Sequence, residues 1–203
     1  MSRLTIAIPT FRRPQDLKRA VIGVLEQAGE LVGGSSAEAR EPEGDAAGAA
    51  DVDGVAGRGV SDVEVLVIDN DAQGSGRETA LAAAADVGVP VRSSAEAPEE
   101  SGGVGLRYVV EERPGVAAVR NRALDETTER DLLIFIDDDE DPEPGWLAAL
   151  VGLWASTGCQ AVAGPVIPGY EVEPEECMKA IAMTAIPCAV PRTPPMKRRT
   201  QTA

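Results

Sequence analysis

Five consecutive acids, Asp137, Asp138, Asp139, Glu140 and Asp141, directly follow the apolar run 132–136. Like charges this dense at a partly desolvated strand end repel one another, and a bound divalent cation is the usual relief. In extended backbone Asp137 and Asp139 point to one side and Asp138 to the other. Two hard oxygen donors a residue apart suit Mg²⁺ or Mn²⁺ completed by phosphate oxygens and water; a solvated acidic loop is the alternative. Near the start of the chain, Thr10 and Phe11 offer a hydroxyl and a flat ring able to hold a heterocyclic base, unless the ring is simply core. Arg12, Arg13, Arg120 and Arg122 carry the planar charge that pyrophosphate oxygens accept from, although Arg120 and Arg122, two apart, cannot share one helix face.

Composition narrows the chemistry. The 203 residues contain no histidine, which removes Ser-His-Asp and Cys-His catalysis and any His-ligated zinc site and leaves acid, base and metal work to carboxylates. The net charge of -15, from 19 Lys+Arg against 34 Asp+Glu, argues against nucleic acid or an anionic membrane surface as the main partner. Cys159, Cys177 and Cys188 form no CxxC spacing and leave one thiol over from any pair, as expected of packing residues in a reducing cytoplasm. The apolar run at the start is too short for a signal peptide, and the most apolar later stretch, 145–155, falls short of the ~18 residues a membrane span needs. Any membrane association is therefore expected to be peripheral.

The elements that must position these residues alternate along the chain. Apolar runs at 4–8, 63–68, 106–110 and 132–136 read as strands, with a fifth at 160–163. Between them, helical spacing starts at Pro14 (Leu17, Val21, Val24, Leu25, Ala28), an alanine-rich helix covers 77–87, and helices cover 116–129 and 144–156. Apolar strands separated by amphipathic helices describe an α/β fold of Rossmann type, a parallel sheet covered on both faces. In such a sheet ligands bind at the carboxyl ends of strands. Four polar junctions fall there: 9–13, 69–71, 111–113 and 137–141. Two glycine-rich, acidic stretches, 28–62 and 93–105, read as flexible insertions, and 176–203, basic and proline-rich towards its end, reads as an irregular tail.

Two other motifs are weaker. Gly74-Ser75-Gly76-Arg77-Glu78-Thr79 nearly matches the dinucleotide GxGxxG but lacks its last glycine, and no GxxxxGK[ST] is present. The Asp-x-Asp nucleophile loop of haloacid-dehalogenase-type phosphatases normally closes the first strand of its domain and is followed by Thr or Val, neither of which holds after Asp139.

Taken together, LTIAIPTFRR, VEVLVIDND, RYVVEERPGVAAVRNRAL, LLIFIDDDEDPEPGWL and AVAGPVIPGYE, in that order, resemble the nucleotide-sugar-binding half of a family 2 glycosyltransferase with the GT-A fold. The resemblance covers about 3–175 apart from the two insertions, and it implies a domain over 1–175. It assigns Pro9, Thr10, Phe11 and Arg13 to the nucleotide cradle and Asp69 and Asn70 to the pair that reads the base. Arg120 and Asn121 match a helix start near the sugar diphosphate. Asp137, Asp138 and Asp139 match the Asp-x-Asp motif, with Asp138 at the ribose and Asp139, beside Asp137, on a Mn²⁺ or Mg²⁺ ion. The implied reaction is an inverting transfer from a nucleotide diphosphate sugar to a glycan or lipid-linked saccharide acceptor, in glycan or polysaccharide biosynthesis. The expected carboxylate base lies well downstream of the metal motif, where this chain offers only Glu171, Glu173, Glu175 and Glu176. A C-terminally truncated, catalytically idle nucleotide-sugar-binding remnant is thus the alternative.

Overall fold

The computed structural model describes residues 2–33, 60–93 and 102–166. In chain order the elements are β1 (Ser2–Thr10), α1 (Pro14–Gly33), β2 (Val60–Asp69), α2 (Arg77–Asp86), β3 (Val91–Arg92), β4 (Gly103–Val110), α3 (Val116–Glu126), β5 (Leu132–Phe135) and α4 (Trp146–Thr157). The five strands form one sheet in the order β3-β4-β2-β1-β5, and every pairing is parallel. This is the α/β, Rossmann-like arrangement expected from the alternating pattern.

Strand parity divides the core into two layers. Leu4, Ile6 and Ile8 of β1 and Val63, Val65 and Val67 of β2 are fully buried on one face beneath α1, α2 and α4. The spacing of Leu17, Val21, Val24, Leu25 and Ala28 puts one side of α1 against this face, and all five are buried. Fully burying a Val or Leu contributes about 1.5–3 kcal/mol, so α1 is secured by packing. Pro14 and Asp16 in the first turn suit its amino end. The opposite face is covered by α3 through a smaller cluster of Ala7, Leu66, Ile68, Val109, Val119 and Ala123.

The elements depart from expectation in three places. α1 continues to Gly33 and β2 begins at Val60, so both intrude into the expected insertion 28–62; the rest of that stretch lies outside the described residues. The expected insertion 93–105 is likewise shortened by β4, which starts at Gly103. The fifth strand is not 160–163, where only Ala161 makes an isolated bridge, but the two-residue β3 at the far edge. Gly164 and Pro165 end the apolar stretch after Ala163, whereas Leu106 N–H to Pro90 O (2.9 Å) docks β3 against β4. The tail 176–203, Glu171, Glu173, Glu175, Glu176, Cys177 and Cys188 lie outside the described residues. Cys159 is buried as a free thiol. Among the described residues, no helix is long and apolar enough to cross a membrane.

Candidate functional site at the carboxyl edge of the sheet

The four polar junctions meet at one edge and are fastened to one another. Thr10 Oγ1 donates to Asp138 Oδ2 at 2.7 Å across 128 positions of sequence. Arg13 Nη1 donates to Asp139 Oδ2 at 2.5 Å and lies 3.5 Å from Asp138 Oδ1. Asn70 N–H donates to Thr10 O at 2.9 Å. The Asn70 side chain staples the β4–α3 loop: its Nδ2 donates to Glu111 O (2.9 Å) and Arg113 O (2.7 Å), and its Oδ1 accepts from Gly115 N–H (2.7 Å). Arg120 reaches from α3 to within 3.8 Å of Asp137 and lies 5.8 Å from the centroid of the Phe135 ring. As expected, Arg122 diverges from it and pairs with Glu126.

The backbone of the acidic run is not extended. Glu140 N–H donates to Asp137 O at 3.2 Å, closing a turn with Asp138 and Asp139 at its centre. β5 ends at Phe135, and beyond Ile136, whose N–H bonds Ala7 O, no neighbouring strand holds the chain straight. Asp137 and Asp139 are 53% and 54% exposed and pair with different arginines, Arg120 and Arg13, whereas Asp138 is only 8% exposed. Burial raises the Asp138 carboxyl above its ordinary value, partly offset by the Thr10 hydrogen bond and Arg13. The loop that follows is hung on α1. Gln27, buried on the apolar side of that helix, donates to Pro142 O (3.1 Å) and Glu143 O (2.9 Å) and accepts from Leu147 N–H (3.0 Å).

Asp69 occupies a different place from the one expected of a base-reading acid. It is fully buried. Its Oδ1 accepts from Asp71 N–H (2.8 Å), and its Oδ2 accepts from Gly76 N–H (2.7 Å) and the Tyr108 hydroxyl (2.6 Å). Burial and then this bond to a carboxylate push the Tyr108 phenol above its usual value. The near-GxGxxG run finds its meaning here. Gly76 caps the amino end of α2, and a Cβ on it would crowd Leu17 and Asp69 at 3.0 and 3.1 Å. The anion at this helix terminus is the protein's own carboxylate rather than a phosphate. Asn70 is likewise spent on the β4–α3 loop, so both expected base readers act as fasteners.

The remaining expected residues stay at the edge. Phe11 is exposed, Pro9 half-buried and Asn121 exposed. Arg120 and Asn121 fall in the second turn of α3, not at its start, because the helix begins at Val116. Sequence reasoning missed Tyr108 and Gln27, and it placed Arg12 at pyrophosphate oxygens, whereas Arg12 pairs with Asp71. For Gln27 the signal is a polar residue inside an apolar helical stripe; for Tyr108 nothing marked its hydroxyl as facing Asp69.

Among the described residues, no three acidic or thiol side chains converge into a ready-made metal cage. Two exposed carboxylates, Asp137 and Asp139, still fit a hard cation that keeps waters and takes further ligands from substrate phosphates.

An open parallel sheet whose strand ends gather exposed carboxylates, arginines, a hydroxyl and a flat ring is an α/β domain of the Rossmann-like class, in which ligands bind at that edge. A family model described as Glycosyl transferase family 2 matches residues 52–202, most of the chain, and the protein belongs to that family and has its GT-A, Rossmann-like fold. No curated protein matches. The matched span takes in 176–202, the stretch expected to be an irregular tail. It leaves β1 outside, although β1 lies between β2 and β5 in the sheet.

Proposed function

We propose that this chain is a metal-dependent, inverting glycosyltransferase that takes its sugar from a nucleotide diphosphate donor. One observation carries the reading: residues from four distant junctions interlock at one sheet edge, with Thr10 on Asp138 and Arg13 on Asp139. In this reading Pro9, Thr10 and Phe11 receive the nucleoside, with Asp138 held by Thr10 to face the ribose. Arg13 and Arg120 are charged groups close enough to shift from carboxylate to diphosphate oxygens. Asp137 and Asp139 hold Mn²⁺ or Mg²⁺, which when bound neutralises charge developing on the departing nucleoside diphosphate. Transfer further needs a carboxylate to remove the acceptor hydroxyl proton, and the acids at 171–176 are the candidates. A glycan or lipid-linked saccharide acceptor, a cytoplasmic location and peripheral membrane contact belong to the same proposal. The idle-remnant reading is the weaker one, because the family match continues through 176–202.

Calorimetric titration with UDP, GDP and dTDP in the presence of Mn²⁺ tests the proposal. Binding of at least one, weakened by Asp139→Ala, is the expected result. Binding of none, or binding indifferent to Asp139→Ala, sinks it. Sugar transfer or donor hydrolysis lost in Asp139→Ala separates the enzyme from the idle remnant.

A further inference from the structure

Arg12 is the one non-glycine among the described residues with left-handed backbone, at φ 56°. A long L-side chain disfavours that conformation, which persists where surrounding contacts over-determine it. Those contacts are specific. Arg12 Nε donates to Asp71 Oδ2 at 3.1 Å, and its Nη2 reaches Oδ1 at 3.5 Å. The same guanidinium lies 5.0 Å from the centroid of the Phe11 ring, within range of a cation–π contact. Asp71 is itself fixed from below. Its N–H is held by Asp69 Oδ1, its own Oδ1 accepts from Gln73 N–H at 3.2 Å, and Asp69 is locked by Tyr108 and Gly76. A chain of contacts thus runs from a buried tyrosine to a ring that is 53% exposed.

We infer that Asp71 and Arg12 are positioning residues for the nucleotide base: the Asp71 carboxylate holds the Arg12 guanidinium against Phe11, and this fixes the exposed ring as a platform on which a planar heterocycle stacks. The inference rests on the nucleotide-site reading above and deepens it. An aromatic face offers little to a phosphate or a sugar hydroxyl but stacks on any base. Asp69 and Asn70, the acids and amides nearest in sequence, are already committed elsewhere. The Asp71 carboxyl lies below its ordinary value, chiefly through the Arg12 hydrogen bond, in keeping with a standing ion pair.

The test compares a nucleoside diphosphate with inorganic pyrophosphate, both titrated with Mn²⁺ present. Arg12→Gln keeps a long side chain at an exposed position and removes the cation and its fork, while Asp71→Asn removes the anchor. Both variants are expected to lose about fivefold or more in affinity for whichever of UDP, GDP or dTDP binds the wild type, with pyrophosphate affinity unchanged. Arg12→Lys, which keeps a charge but not the planar fork, is expected to fall between. If Asp71→Asn does not fold, Arg12→Gln decides alone. A matching loss for pyrophosphate means that the guanidinium serves the phosphates and overturns the inference, as does no loss for either ligand. A wild-type chain that binds neither ligand instead removes the nucleotide-site reading on which the inference stands.

Discussion

Charged residues gather at both ends of this sheet, and the two gatherings are built in opposite ways. At the amino end, on the α3 face, Arg107 grips Glu64 through both oxygens (3.1 and 3.0 Å) and also pairs with Glu126. Arg130 pairs with Asp62 and lies 3.4 Å from Glu64, and Arg92 closes the group on Asp62 at 2.8 Å. Asp62, Glu64, Arg107 and Arg130 are all under a tenth exposed. At the carboxyl end, Arg13 and Asp139, and Arg120 and Asp137, form pairs that are about half exposed on both sides. Buried ions depend on one another, because removing either partner strands a charge in a poorly solvated place. Exposed pairs contribute little and exchange freely with ions in water. The same residue types therefore lock the sheet at one end and wait for a ligand at the other.

The sharpest way to break this contrast is Arg107→Ala, which leaves Glu64 buried without its main partner and the half-buried Glu126 with Arg122 alone. A loss of about 3–5 kcal/mol of unfolding free energy is expected, read from urea midpoints, with nucleoside diphosphate affinity of the folded fraction unchanged. A small loss would mean that the amino-end network is no more structural than the exposed pairs.

Asp139→Ala is the mirror experiment and the next largest effect. Its partner Arg13 is exposed and returns to water, so the urea midpoint is expected to stay where it is. Affinity for the nucleoside diphosphate with Mn²⁺ should fall about a hundredfold, roughly 2.7 kcal/mol, as measured by calorimetry. A shifted midpoint with unchanged affinity would reverse the roles assigned to the two ends.

Both ends differ in how far they could be read from sequence. The four polar junctions were legible because strand periodicity and the rule for parallel sheets place them at one edge before any contact is known. The amino-end network was not. Asp62-Val63-Glu64-Val65 is the alternation of a strand with one wet face, and only the return of Glu126 and Arg130 over that face makes it dry. Gly105 is part of the same device, since a Cβ there would collide with the Arg92 side chain crossing towards Asp62. Asp69 shows the limit in the other direction. Its position at the carboxyl end of β2 suggests a ligand contact, but which way a carboxylate turns depends on Tyr108, 39 residues away.

Tyr108→Phe probes that internal support with a smaller expected effect. Removing the hydroxyl takes a charge-assisted bond from Asp69 and should lower stability by about 1.5 kcal/mol. Because Asp69 anchors Asp71, the variant should also weaken nucleoside diphosphate binding more than pyrophosphate binding. Stability lost without any change in that ratio would confine Tyr108 to the core.

The smallest effect concerns pH and has opposite signs at the two ends. Burial opposes ionisation of Asp62 and Glu126, but hydrogen bonds from Arg92 and Arg130, and from Arg107, outweigh it and leave both carboxyls below their ordinary values. Their contribution is present above the ordinary carboxylate range and is lost as pH falls through the lower folded values. Asp138 is raised instead, chiefly by burial. The stability it offers is present below the ordinary value and is lost as pH rises through the folded one, so at neutral pH its charge is a burden on the fold. Asp138→Asn, whose Oδ1 still accepts from Thr10, should therefore raise the urea midpoint slightly at pH 7, with the gain shrinking towards pH ~4, while nucleoside diphosphate affinity falls. A gain in stability bought with binding is what a site residue gives, and a purely structural carboxylate would lose both. If Asp138→Asn is less stable than the wild type at pH 7, the carboxyl edge is as self-supporting as the amino edge, and the contrast between the two ends fails at its most buried acid.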